Sequence, residues 1–200
     1  MLRTTTSMEL AMRLRKAVFP ALLAIIVCAL SACASDPDTH KPTLHSSAKV
    51  DLQRYKGRWY IIANIPYFAE NGKVMTRDEY ALRADGRIDN DYVFRRGFDE
   101  ADKSWHGVAT VVPGTDNAQW TVKFWGVLNA DYLVLEVAPD YSWALVGHPQ
   151  RKYGYVFSRQ PRMDDALYQQ LLGKLGGYGY TTSRLQKVPQ MPGDPAQITR

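Results

Sequence analysis

The chain has 200 residues, with 25 Lys or Arg against 20 Asp or Glu, a formal charge of +5 at pH 7. Arg3, Arg13, Arg15 and Lys16 stand in the first 16 positions against one acid, Glu9, so residues 33–200 carry 21 basic and 19 acidic side chains, a net +2. No Lys/Arg block follows, which excludes the clustered basic stripe of a nucleic-acid-binding domain.

Residues 17–30, AVFPALLAIIVCAL, carry no charge and contain Pro20. A membrane-crossing helix needs about 20 apolar residues, so a basic head and a short apolar centre describe an export signal instead. Its end, Leu30-Ser-Ala-Cys33, resembles the bacterial lipobox. The resemblance implies that the Cys33 thiol receives a diacylglyceryl group, that cleavage precedes Cys33, and that the new amino group is acylated. Residues 1–32 are then a lipoprotein signal peptide, with the start open among Met1, Met8 and Met12. Cys28 is discarded with it and the mature chain has no internal disulfide. Ala34, where retained lipoproteins carry Asp, implies the outer membrane. An ordinary secretory signal and an uncleaved anchor are the competing readings.

Residues 33–49 are polar, contain two prolines and no apolar period, and read as the acylated cysteine followed by a flexible tether. His40 and His45 lack the further ligands at defined spacing that a metal site requires, so no metal or cofactor is expected. From residue 58 the chain alternates between short Val-, Ile-, Thr- and aromatic-rich runs and Gly/Pro/Asn/Asp clusters. These predict strands near 58–65, 75–83, 87–96, 103–112, 119–125, 131–137, 142–147 and 153–159. The connections are short, which implies antiparallel neighbours. The sequence therefore predicts an all-β fold, an eight-stranded antiparallel up-and-down β-barrel that leaves no open edge.

Alternation assigns Tyr80, Leu82, Tyr92, Phe94, Trp120, Val122, Phe124, Leu133 and Leu135 to the inner face, as a ligand cavity. Trp105 and the small residues Ala63, Gly107 and Ala109 take the same parity. Thr76, Asp78 and Asn90 are the polar members of that face, and Asp78 reads better as a solvated rim residue. His106 falls outside and His148 in a turn. Then Met163, Leu167, Leu171 and Leu175 recur every four residues, the apolar face of a helix packed outside the barrel. Residues 180–188 read as a short ninth strand, and 189–200, with three prolines, as a loose tail.

Val50 to Ala63, with Gly57-x-Trp59, resembles the first conserved block of the lipocalins. Gly154 to Pro161, with Arg159, resembles their last block, and Asn129 to Pro149 less distinctly a middle one. The similarity covers about residues 50–188, which form the barrel domain, and is closest to the bacterial outer-membrane lipoprotein branch. It implies a cup whose closed end is Trp59 with Arg159 stacked on its ring and Gly57 beside them, all three structural rather than catalytic. It also implies a carrier of fatty acids or lysophospholipids for storage or transport in the envelope, membrane-bound through its lipid anchor. The expected ligand leaves its head group at the mouth, beside Asp78 and Asn90. A structural envelope tether without ligand is the alternative. A lipocalin-type enzyme is a third, disfavoured by the lack of a second mature cysteine and of a Gly-x-Ser-x-Gly turn. Oligomeric state, a homodimer included, stays open.

Overall fold

The computed structural model describes residues 41–194, so Cys33, Cys28, His40, the signal segment and residues 195–200 lie outside the described residues. Nine strands follow one another: β1 (Gly57–Ile65), β2 (Val74–Leu82), β3 (Ile88–Arg95), β4 (Lys103–Val111), β5 (Gln119–Phe124), β6 (Leu128–Val137), β7 (Trp143–Gly147), β8 (Gly154–Ser158) and β9 (Gln186–Lys187). Each pairs antiparallel with its sequence neighbour from β1 to β8, and β8 returns to β1, so the sheet closes. The ends of the barrel follow from this up-and-down order. The loops after β1, β3, β5 and β7 surround one end, the mouth, and those after β2, β4 and β6 surround the other.

A single helical turn, α1 (Leu52–Tyr55), lies across the closed end, and α2 (Asp165–Gly177) runs outside the barrel. Both start on an aspartate whose carboxylate accepts backbone N–H groups that have no helical partner. Asp51 Oδ1 takes Gln53 N at 2.8 Å and Asp164 Oδ1 takes Ala166 N at 2.9 Å.

Two cores result. The inner one contains Trp59, Ile61, Tyr80, Tyr92, Trp120, Val122, Tyr132, Val134 and Phe157. The outer one joins Ile62, Ala63, Ile65, Leu133, Leu135, Leu145 and Val156 to Tyr168, Leu171, Leu175 and Tyr180. This corrects three inward expectations: Leu133, Leu135 and Ala63 face α2, not the barrel interior. The cause is local. β1 carries a register shift between Ile61 and Ala63, and β6 one between Val134 and Glu136. A bulge moves every later side chain to the opposite face. In β6 it brings Val137 back to the interior after Val134, while Leu133 and Leu135 stay outside.

Gly147 and Gly154, a cross-strand pair, let Tyr180 pack directly on the sheet, and a Cβ at Gly147 would overlap the Tyr180 hydroxyl. That hydroxyl accepts from His148 N at 2.9 Å and donates to Tyr153 O at 3.0 Å.

Residues 41–49 are not a free tether. Lys41 Nζ donates to Gly179 O, and Arg151 Nη1 donates to Pro42 O at 2.7 Å. Leu44 N donates to Pro149 O at 2.7 Å, and Val50 N donates to Asp116 O at 2.9 Å. The segment thus runs from the mouth to the closed end. Nor are residues 189–194 loose. β1 and β2 pair only over Gly57–Tyr60 and Arg77–Tyr80, and the gap above is filled from the C-terminal side. Val188 N donates to Ile62 O, and Pro189 O accepts from Met75 N. Gln190 Nε2 lies 2.8 Å from Ile61 O and 3.0 Å from Thr76 O.

At the closed end the Arg159 guanidinium carbon lies 3.7 Å from the Trp59 ring centroid. Its Nη1 donates to Arg58 O and its Nη2 to Arg54 O, both at 2.7 Å. Gly57 takes φ +92°, a left-handed conformation that costs other residues and not glycine. Positive φ, rather than close approach, is what position 57 demands, since a Cβ there would meet only an ordinary contact at 3.6 Å.

Candidate functional site: a half-filled barrel

Aromatic side chains fill the lower half of the barrel. Trp59, Trp120 and Tyr55 are fully buried. Trp120 stacks on Tyr132 with ring centroids 4.6 Å apart. A hydroxyl chain threads this plug. Tyr55 Oη and Tyr132 Oη are 2.8 Å apart, Tyr80 Oη is 2.9 Å from Tyr132 Oη, and it is 2.8 Å from Asp78 Oδ2. One proton each, passed in that order, satisfies all four groups, with Asp78 the final acceptor.

Above the plug lies a cavity of ≈ 540 Å³, inside the range of about 300–1,000 Å³ typical of small-molecule sites. Asp78, Asn90, Tyr92 and Tyr132 form its floor, and Trp105, Val122, Phe124, Ala130 and Tyr155 its walls. Tyr67, Phe68, Trp125, Leu128, Lys152 and Tyr153 surround the mouth. A larger trough of ≈ 870 Å³ runs along Thr110, Thr121 and Lys123. Those residues alternate with the inward set of β4 and β5, so the trough is open outer surface.

Among the nine side chains assigned inward from the sequence, Tyr92, Val122 and Phe124 line the cavity. Tyr80 and Trp120 sit in the plug beneath it, and Leu82 packs at the foot of β2. Phe94 lies beside the wall, where it meets Lys73 and Trp105. Leu133 and Leu135 are outside. Asp78 is the clearest departure: it is buried, so the rim reading of it fails. Depth explains the error. Parity says which face a residue takes but not how far along the barrel axis it sits.

Burial pushes the Asp78 carboxyl up to about 7, against the opposing bonds from Tyr80 and Asn90. Glu70, on the turn that folds over the mouth, is raised by burial to about 7 as well. It accepts from Tyr67 N at 2.9 Å and from Asn64 Nδ2 at 3.1 Å. The Lys73 ammonium is 3.3 Å from the Trp105 ring centroid and 3.7 Å from that of Phe94. Burial lowers it to about 8. Glu70, Lys73, Tyr132 and Tyr155 did not emerge as site residues from alternation. Glu70 and Lys73 come from a turn, where no periodicity operates.

His106 stands on the outer face with Nδ1 2.7 Å from Asp91 Oδ1. His148 is buried at the mouth, its pKa lowered by that burial. Among the described residues no group of three His, Cys, Asp or Glu side chains could hold a metal ion.

Residues 50–190 match the Lipocalin-like domain family. The chain belongs to the lipocalin family. Temperature-induced lipocalin-1 of Arabidopsis thaliana is 34% identical over 176 residues, 80% of this lipocalin and 90% of that protein. The outer membrane lipoprotein Blc of Escherichia coli K12 is 30% identical over 185 residues, 91% of this chain and 99% of that one. Among solved structures, apocrustacyanin C1 superposes with a TM-score of 0.60 at 17% identity, covering 80% of this chain and 95% of its own. Insecticyanin from Manduca sexta gives 0.57 at 18%, covering 76% and 89%. At such identities these structures speak to the fold, an eight-stranded antiparallel barrel with one extra strand and a C-terminal helix.

Proposed function

We propose that this lipocalin is a reversible binding protein for single-chain amphiphiles, fatty acids or lysophospholipids among them, held at the outer membrane by a lipid on Cys33 and performing no chemistry. The observation that carries the reading is the cavity of ≈ 540 Å³, walled by aromatic and aliphatic side chains, closed below and open at the mouth. A structural tether has no use for such a space and would be stabler with it filled. Storage or transport of lipid in the envelope follows from the combination of cavity and anchor. Relatives whose name is outer membrane lipoprotein support the location.

Each methylene buried gains ~0.8 kcal/mol, and association and ordering subtract several kcal/mol, which leaves affinities near micromolar, ~−8 kcal/mol, for chains of moderate length. Titration of the protein with straight-chain amphiphiles of increasing length, followed by Trp fluorescence, is expected to give affinity that rises with each methylene and then stops once the cavity is full. No saturable binding at any length, in folded protein, leaves the tether reading in its place.

The anchor has its own test. One acyl chain holds a protein only marginally, whereas two or more hold it stably. Cys33→Ser should therefore move the protein out of the membrane fraction. A Ser variant that stays membrane-bound after a high-salt wash would refute the lipidation of Cys33.

A further inference from the structure

The polarity of the cavity is inverted relative to a cup that takes a lipid tail-first. At the mouth, Phe68 is 74% exposed, Trp125 59%, Val127 83% and Leu128 44%. At the floor stands Asp78, four residues below Val74, the mouth end of β2, which is roughly 13 Å at about 3.3 Å per residue. Beside it stands Asn90, which is buried, lines the cavity and turns its amide toward the Asp78 carboxylate, favouring its ionised form. A tail reaching the floor would press methylenes against a buried carboxylate and give it no counter-charge, at the cost of burying an unpaired charge.

The charges around Asp78 are one-sided. Across the cavity stands a second carboxylate, Glu70. Behind Asp78, on the outer side of β3, stands a third, Asp91, which opposes its ionisation. From the plug, Tyr80 supplies a hydroxyl to Asp78, and Tyr132 and Tyr55 stand behind that hydroxyl. From β8, Tyr155 bonds to Glu70 instead. The nearby cation, Lys73, interacts with Glu70 and lies against Trp105 and Phe94. Among the described residues, no Lys or Arg forms an ion pair with Asp78. The floor therefore has a buried acid with no paired counter-charge, under a chamber lined by Tyr92, Trp105 and Tyr155.

We propose that the cavity selects amphiphiles whose polar end is a cation, and seats that cation on the floor against Asp78, with the chain running up to the apolar rim. The proposal rests on the binding of single-chain amphiphiles given above and ranks them, with cationic ones ahead of the fatty acids named there. A bound ammonium supplies the missing counter-charge to Asp78. The exposed Phe68, Trp125 and Leu128 then cover the emerging end of the chain. A free carboxylate in the same place would meet two acids.

Dodecylammonium, dodecanol and dodecanoate share one chain and differ in charge, so their affinities separate head-group selection from chain burial. Each is titrated into the protein below its critical micelle concentration, at pH 8 and pH 6. At pH 8 dodecylammonium should bind roughly tenfold tighter than dodecanol or better, the scale of one charge-assisted contact, and dodecanoate should be the weakest. Asp78 ionises near 7, so the ammonium preference should shrink several-fold at pH 6. Asp78→Asn keeps the acceptor for Tyr80 and should remove the preference, bringing the ratio of dodecylammonium to dodecanol affinity at pH 8 to within about threefold of one. Glu70→Gln should reduce the preference less, because that carboxylate already has its own donors and Lys73.

Equal affinity for dodecylammonium and dodecanol in the unaltered protein overturns the proposal and leaves the binding reading intact. So does tightest binding of dodecanoate at pH 6, which would mean that a protonated Asp78 donates to an anionic head. Failure of all three to bind overturns the binding reading itself.

Discussion

Trp59→Ala is expected to destabilise the protein by ~3–5 kcal/mol, the usual cost of truncating a large buried aromatic side chain. The side chain is completely buried. Its indole N–H donates to Tyr55 O at 2.7 Å, and its ring lies 5.0 Å from Tyr55 and 6.3 Å from Phe157 between centroids. Removing it opens a void in the plug and takes the indole donor from the Tyr55 carbonyl, which keeps Arg159 Nη2 at 3.1 Å. A domain of this size has about 5–15 kcal/mol in all, so the denaturation midpoint should fall far.

Arg159→Ala should be nearly as informative. Arg159 covers the open face of the indole, and its two terminal nitrogens also hold the carbonyls of Arg54, Tyr55, Lys56 and Arg58. The cation on the ring contributes ~0.5–2 kcal/mol, more when desolvated, and the fork ties the end of α1 to the start of β1. Arg159→Lys should restore little, since an ammonium cannot span those acceptors as a planar fork does. In the double variant the losses should fall short of their sum, because each single change already removes the shared contact. Strict additivity in equilibrium unfolding would mean that ring and guanidinium do not stabilise one another.

The same residues mark how far the amino-acid sequence determines this reading by eye. Gly57 and Trp59 are far from Arg159 in the chain, and the resemblance of their two segments to the lipocalin blocks is what placed them together. β2 to β5 alternate cleanly because one face of each meets water, so polar and apolar residues sort themselves. β1 and β6 do not, because α2 buries their outer face. In Tyr132-Leu-Val-Leu-Glu-Val137 five of six residues are apolar, and period two then carries no information about which face is inner. The bulges at Ile61/Ala63 and Val134/Glu136 compound the loss, since a single extra residue leaves no compositional trace. Residues 41–49 and 189–190 looked loose for a related reason: they are held by hydrogen bonds to main-chain groups of distant elements, from Lys41, Arg151 and Gln190 among others, and no apolar period records such partners. The floor of the cavity was beyond reach because depth along the barrel depends on where each strand starts, not on which residues it contains.

Leu135→Asp separates the two assignments of β6. Were Leu135 inside the cavity, a carboxylate there would meet an open, accessible chamber, and the loss would fall mainly on ligand binding. The structure puts the side chain under α2, fully buried with Leu133, Leu145, Leu171 and Leu175. There Tyr178 Oη donates to the Leu135 carbonyl at 3.1 Å, and Lys174 reaches past to Glu136 at 2.7 Å. A carboxylate at 135 must either stay ionised among leucines, desolvated and unpaired, or take up a proton and still break the packing. Burying an unpaired polar group and opening a cavity are among the few mechanisms that exceed 4 kcal/mol. The expected result is a loss of ~4 kcal/mol or more in urea unfolding, with whatever fraction remains folded binding a dodecyl-chain probe at unchanged affinity. Val122→Ala is the counterpart on the cavity wall: it should cost ~1–3 kcal/mol in stability and alter probe affinity directly. A Leu135→Asp protein that kept its unfolding midpoint and lost its ligand would return Leu135 to the interior and move the bulge in β6 to another position.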